Sequence, residues 1–296
     1  MNVDGTQMKT LKQITALPLS DSMISVAEPF LFQRKEREGP NPYFSPPRHT
    51  YFLAQDNERP PLVVFSHGGP TSHCGNAYSL GIQYWTSRGI AVVNVNYRGS
   101  SGYGRHYRQA LNDYWGVRDV EDCIAAVTYL AKTDRIDPKC VTIRGGSAGG
   151  YTTLCAPTFH DTFAAGASYF GISDVAALAT DAHKFESHYI NQLIGTESGT
   201  SDRIYQRSPI HFTDQITTPV ILFQGMDDKV VPPNQADQMT VALKNNNIPH
   251  ALFLFEGESH GFIQPINQLT ALESELSFYS QIFGFQPHGI KPITLT

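Results

Sequence analysis

The stretch that decides the fold is Ile143-Arg144-Gly145-Gly146-Ser147-Ala148-Gly149-Gly150-Tyr151. It reads as the end of a buried strand, a glycine-rich turn and the start of a helix, with one serine at the apex. The G-x-S-x-G pattern in that setting is a nucleophile elbow, which lifts a serine Oγ above the carboxyl edge of a sheet. Glycines flank the serine because so tight a turn leaves no room for side chains.

The chain on either side of this turn alternates. Leu62-Val63-Val64-Phe65 is a short apolar run, the mark of a strand covered on both faces. Residues 77–88 carry a helical apolar period that Gly89 ends, and 90–95 form the next buried strand. Apolar residues at Val120, Ile124, Val127 and Leu130 predict an amphipathic helix over 117–131. Val141-Thr142-Ile143 is the strand before the elbow, and 148–156 is the helix after it. Three further strands are predicted at 164–169, 220–223 and 251–255, with helices at 235–245 and 269–283. Upstream, 28–33 reads as a first strand, and its partner is either 41–45 or 49–54. Such alternation predicts an α/β fold: a mostly parallel sheet with helices on both faces. Ligands of these sheets bind beyond the carboxyl ends of the strands, where Ser147 sits.

Composition narrows the functional classes. The chain has 296 residues, 41% of them hydrophobic, and suits one large domain with a short appendage. We expect an N-terminal segment over 1–25 and a catalytic domain over 26–296. The net charge is −5 and there is no basic block, so neither nucleic acid nor an anionic membrane is an expected partner. No apolar run reaches membrane-spanning length. The polar start, residues 1–12, carries no signal-peptide core. The four cysteines form no C-x-x-C pair and read as reduced thiols of a cytoplasmic protein. The 11 histidines show no metal-binding spacing, so no metal or cofactor is expected.

A serine hydroxyl needs a base, and the base needs an orienting acid. On this scaffold the order is serine, acid, histidine. The strand at 220–223 runs into Gln224-Gly225-Met226-Asp227-Asp228, and the strand at 251–255 runs into Glu256-Gly257-Glu258-Ser259-His260-Gly261-Phe262. His260 is the expected base. Asp227 and Asp228 compete for the acid, and Asp227 is preferred. The oxyanion needs two donors. One is the amide of Ala148. The other comes from the turn Ser66-His67-Gly68-Gly69-Pro70, with Gly69 preferred over Gly68.

With these loops placed, HGGPTSH (67–73), YRGSSGYG (97–104), GGSAGGYTTLCA (145–156), QGMDDKVVPPNQADQM (224–239) and FEGESHGF (255–262) resemble the prolyl oligopeptidase family of serine peptidases. The likeness is greatest to its acylaminoacyl-peptidase and dipeptidyl-peptidase branch and covers roughly 26–285. It implies an α/β-hydrolase fold and cleavage of peptide or acyl-peptide bonds, with esterase activity on small esters as the alternative. It also implies the triad Ser147, Asp227 and His260. Lys229 matches a position that reaches toward the substrate backbone. Tyr151, Tyr169 and Phe170 resemble residues that wall the pocket for the side chain before the scissile bond. Family members carry an N-terminal β-propeller, and residues 2–14 resemble its last strand. The resemblance therefore implies either a catalytic-domain fragment, whose propeller partner is absent from this chain and whose uncovered surface would self-associate, or a naturally short member of the family.

Overall fold

The computed structural model describes residues 21–32, 42–46, 59–181, 187–195 and 200–296. Among these, eight strands form one sheet: β1 (Glu28–Pro29), β2 (Tyr43–Ser45), β3 (Leu62–Ser66), β4 (Ala91–Val95), β5 (Val141–Gly146), β6 (Ala165–Tyr169), β7 (Val220–Gly225) and β8 (His250–Phe255). Their order is β1-β2-β4-β3-β5-β6-β7-β8. Pairings from β4 through β8 are parallel, and the two involving β2 are antiparallel. The helices are α1 (Leu80–Thr86), α2 (Gly104–Gln109), α3 (Arg118–Lys132), α4 (Ala148–Phe159), α5 (Val175–Asp181), α6 (Ser187–Ile194), α7 (Thr200–Gln206), α8 (Asn234–Asn245) and α9 (Pro265–Phe283). This is the α/β-hydrolase arrangement.

Alternation along each strand sends side chains to two cores. Leu62, Val64, Val93 and Ile143 join Val120, Val127 and Leu130 of α3 and Tyr151 and Cys155 of α4 on one face. Val63, Val92, Ala167, Ile221 and Phe223 join Trp85 of α1 and Leu276, Phe278 and Tyr279 of α9 on the other. The strand order reverses around β3, which lies between β4 and β5. A crevice therefore opens at their carboxyl ends, beside the turn that follows β5.

Several boundaries differ from the sequence expectation. The first strand shrinks to Glu28–Pro29, because proline cannot extend the ladder, and Phe30 and Phe32 turn into the core instead. Its partner is Tyr43–Ser45; the alternative at 49–54 lies outside the described residues. The first helix begins at Leu80 rather than at 77. The last begins at Pro265, a favoured first-turn proline, and ends at Gly284 in the left-handed region (φ 76°). α5, α6 and α7 escaped the sequence reading because seven or eight residues are too short to establish a helical period.

α3 is tied to α4 by a buried carboxylate. Asp119 accepts from the Gly116 amide (2.8 Å) and the Thr152 hydroxyl (2.6 Å). Burial pushes its pKa from the ordinary 3.8 up to about 6, against those hydrogen bonds. Folding thus favours the protonated form, and the benefit is lost as pH rises from the unfolded value through the folded one. Asp119→Asn keeps an acceptor without the charge. Urea unfolding should show the wild type losing on the order of 3 kcal/mol from this group between pH 4 and pH 7, and Asp119→Asn losing none of it. An identical pH profile in the variant would refute this account.

Candidate active site

The elbow is built by contacts that exclude side chains. A Cβ on Gly149 would collide with the Ser66 carbonyl at the end of β3, and one on Gly145 with the Gly149 carbonyl. Ser147 sits between them at φ 57°, ψ −122°, a conformation rare for a residue with a side chain. It is held there by its amide donating to Tyr169 O (3.0 Å) and its carbonyl accepting from Tyr151 N (2.9 Å).

Two loops from neighbouring strands meet the serine. The turn after β7 is joined to the loop after β8 by Met226 N donating to Phe255 O (3.0 Å) and Asp227 N to Glu258 O (2.9 Å). In the second loop, Glu258 accepts from the amides of Ile263 (2.8 Å) and Gln264 (2.9 Å) and from Asn267 Nδ2 (2.9 Å). Burial works to raise its pKa, but those three donors outweigh it and hold the carboxyl below its ordinary value. This clamp presents His260. Its Nε2 accepts from Ser147 Oγ at 2.8 Å, and its Nδ1 donates to Asp228 Oδ2 at 2.8 Å. Phe170 packs against the imidazole, ring centres 4.8 Å apart.

The acid beside the imidazole is Asp228, which corrects the expectation of Asp227. Asp228 is buried, and its second oxygen accepts from the amides of Val230 (2.8 Å) and Val231 (2.9 Å). Those bonds turn its carboxylate inward. Asp227 is exposed, and only its backbone takes part in the junction. Adjacent aspartates on one turn point in different directions, so position after a strand cannot choose between them.

The structure brings together a cavity of about 450 Å³ lined by Phe65, His67, Gly68, Arg144, Ser147 and Phe170, with Tyr169 and His260 completing its wall. Tyr169 and Phe170 both line this cavity. Tyr151 does not: it is fully buried, its hydroxyl donating to Arg207 O at 2.7 Å, and it belongs to the core. Its aromatic character alone could not distinguish the two settings. Lys229 is exposed on the turn after Asp228. Gly68 reaches the cavity wall, whereas Gly69 follows it at φ 120°.

His67 anchors that glycine turn. Its ring stacks on Tyr97 with centres 4.2 Å apart, Nε2 lies 2.7 Å from Ser100 Oγ, and Nδ1 lies 2.8 Å from Gly68 O. Burial lowers its pKa to about 4, with only partial opposition from the Gly68 carbonyl. The ring is neutral at physiological pH and acts as a fixed wedge. Arg144 and its partner Glu275 were missed by sequence reasoning; the signal was an arginine inside an otherwise apolar strand.

Among the described residues, no three histidine, cysteine or acidic side chains cluster as a metal site, and no helix is long and apolar enough to cross a membrane. The serine, imidazole and carboxylate can pass a proton from Oγ to Nε2 while the carboxylate steadies the ring.

The prolyl oligopeptidase family model matches residues 76–286, more than half of the chain. Dipeptidyl aminopeptidase BIII of Pseudoxanthomonas mexicana is 34% identical over 231 residues, covering 76% of this chain and 33% of the relative. The acylamino-acid-releasing enzyme of Arabidopsis thaliana is 32% identical over 219 residues, covering 69% and 28%. A puromycin-hydrolyzing peptidase of Mycobacterium tuberculosis superposes with a TM-score of 0.91 at 45% identity, covering 95% of this chain and 43% of that one. The chain spans about a third of the length of the curated relatives it matches.

Gly149→Ala should cost about 3 kcal/mol in denaturant unfolding, because the Ser66 carbonyl that it strikes belongs to a central strand. A variant of wild-type stability would mean that the elbow tolerates a wider turn than its geometry implies.

Proposed function

Because this chain belongs to the prolyl oligopeptidase family, we propose that it is the catalytic domain of a serine peptidase, cleaving peptide or acyl-peptide bonds through an acyl-enzyme on Ser147. The observation that carries this reading is the unbroken hydrogen-bond chain from Ser147 Oγ through His260 to the buried Asp228. Ser147 Oγ attacks the carbonyl while His260 Nε2 takes its proton. Asp228 holds the tautomer and stabilises the imidazolium. The oxyanion is received by the Ala148 amide, at the start of α4, and by the Gly69 amide. His260 then protonates the leaving amine, and water deacylates the serine through the same base.

The substrates are read as peptides with a free or an acylated N-terminus, in line with the names of the dipeptidyl aminopeptidase and acylamino-acid-releasing relatives. Tyr169 and Phe170 wall the subsite before the scissile bond, and Lys229 reaches for the substrate backbone. The chain's share of its relatives' length supports a further domain, a β-propeller by resemblance, over the cavity mouth. Free cysteines at 74, 123, 140 and 155, with Cys74 pushed up to about 12 by burial, support a reducing, cytoplasmic setting.

Labelling with a fluorophosphonate should map to Ser147, and folded protein that stays unlabelled would overturn the reading. On a peptide anilide, Ser147→Ala should lose about 10⁴-fold or more in kcat. Asp228→Asn should lose about 10³- to 10⁴-fold, and Asp227→Asn less than about threefold, as for a surface change. The reverse order of the two aspartates would reject the assignment. Hydrolysis of p-nitrophenyl esters without any amide cleavage would make the domain an esterase.

A further inference from the structure

The two amides proposed for the oxyanion stand on different elements, Ala148 at the start of α4 and Gly69 on the turn after β3. Such donors act only when their positions are fixed beforehand, so the turn must be held against the nucleophile helix. Its near end is pinned at His67, which stacks on Tyr97 and whose carbonyl accepts from the Tyr97 hydroxyl at 2.7 Å. Beyond Gly69 the turn folds back on itself. A Cβ on Gly69 would come within 2.7 Å of the amide nitrogens of both Thr71 and Ser72. The placing of Thr71 therefore constrains the Gly69 peptide.

Thr71 is held from far along the chain. Its amide donates to the hydroxyl oxygen of Tyr189 at 3.2 Å, and its Oγ1 lies 2.9 Å from the same oxygen. Tyr189 is 118 residues away on α6, whose Ile190, Leu193 and Ile194 are buried in the core that also holds Tyr151. The carbonyls of Gln192 and Leu193 accept from the amides of Asp113 (3.3 Å) and Trp115 (3.4 Å). The Trp115 ring packs on Tyr151 of α4, centres 4.5 Å apart. α6 thus grips the nucleophile helix through Trp115 and the glycine turn through Tyr189. None of the described residues that line the reacting cavity comes from α6, so Tyr189 acts on the turn and not on the substrate.

We propose that Tyr189 is a positioning residue for acyl transfer: its hydroxyl fixes the turn after β3 so that the Gly69 amide meets the developing oxyanion together with the Ala148 amide. This inference rests on the acyl-transfer reading of Ser147. The oxyanion exists only in the transition state and the tetrahedral intermediate. A displaced donor therefore lowers kcat and leaves substrate binding nearly untouched.

The test measures kcat and KM on a peptide anilide, and inhibition by a peptide aldehyde and its matching alcohol. Ser147 Oγ bonds to the aldehyde carbon, His260 takes the hydroxyl proton, and the carbonyl oxygen becomes the oxyanion; the alcohol has no such step. Tyr189→Phe keeps the ring and removes only the hydroxyl. Its kcat should fall about tenfold with KM within about twofold of wild type, short of the roughly 10²-fold that outright loss of an oxyanion donor costs. The ratio of alcohol to aldehyde inhibition constants should fall by the same factor, whereas a general loss of binding or folding would move both inhibitors alike. Thr71→Val keeps the amide contact, loses that of Oγ1, and should lower kcat and the ratio about threefold. Added to Tyr189→Phe it should lower them no further, because both act through one contact. Thermal transitions check folding; should Tyr189→Phe not fold, the ratio in Thr71→Val decides alone. An unchanged ratio in a folded variant, or losses that add in the double variant, would overturn the inference. A wild type that cleaves no amide yet prefers the aldehyde would end the peptidase reading alone, and the ratio would still decide the role of Tyr189. A wild type that binds both inhibitors equally would overturn both.

Discussion

The site depends on how closely the start of α4 can approach the end of β3. Gly149 packs its α-carbon against the Ser66 carbonyl, and Gly145 packs against Gly149 in turn. That approach forces Ser147 into its left-handed conformation and points its hydroxyl out of the sheet. The position of the approach follows from topology. β3 and β5 are parallel neighbours at the reversal of strand order, so the turn after β3 and the turn after β5 share one crevice. The glycine turn after β3 therefore reaches Ser147 without any long loop.

The base and acid arrive by a different device. β7 and β8 are adjacent and parallel, and the loops beyond their ends are joined backbone to backbone at Met226 and Asp227. Asp227 spends its amide on that junction and leaves its side chain in solvent. Asp228, one residue later, is turned inward by the amides of Val230 and Val231. Glu258 closes the other side by accepting from the Ile263 and Gln264 amides just before α9 and from the Asn267 side chain, near a helix N-terminus where a carboxylate is favourable. His260 is thus held by backbone geometry on both sides.

Charge is distributed in this interior according to what each carboxylate must do. Asp119, between α3 and α4, has neutral donors only and moves toward protonation. Glu258 has three donors and stays ionised. Glu275 answers an arginine and two tyrosine hydroxyls. These groups connect the sheet, the nucleophile helix and the last helix to the cavity, so the polar interior and the reacting site form one construction.

Much of this was legible in residue order. The strand–turn–helix punctuation around Ser147, the apolar runs of the parallel strands and the histidine after the last strand are local patterns, and local patterns survive without coordinates. They determined the fold class and singled out Ser147 and His260, which the structure places 2.8 Å apart. Which carboxylate meets His260 was not legible: Asp227 and Asp228 occupy the same turn, and its folded course, set by the Asp227 junction with the neighbouring loop and by the Val230 and Val231 amides, decides which side chain faces inward. The same holds for Tyr151, whose ring could wall a pocket or fill a core until α4 is docked on β5. Arg144 and Glu275 are 131 residues apart and meet only because α9 packs on β6 and β7, beside the strand that carries the elbow. The sequence alone determined which chemistry this chain carries; the tertiary structure decided which of two neighbouring carboxylates serves it and what lines the cavity, because both depend on contacts between segments distant along the chain.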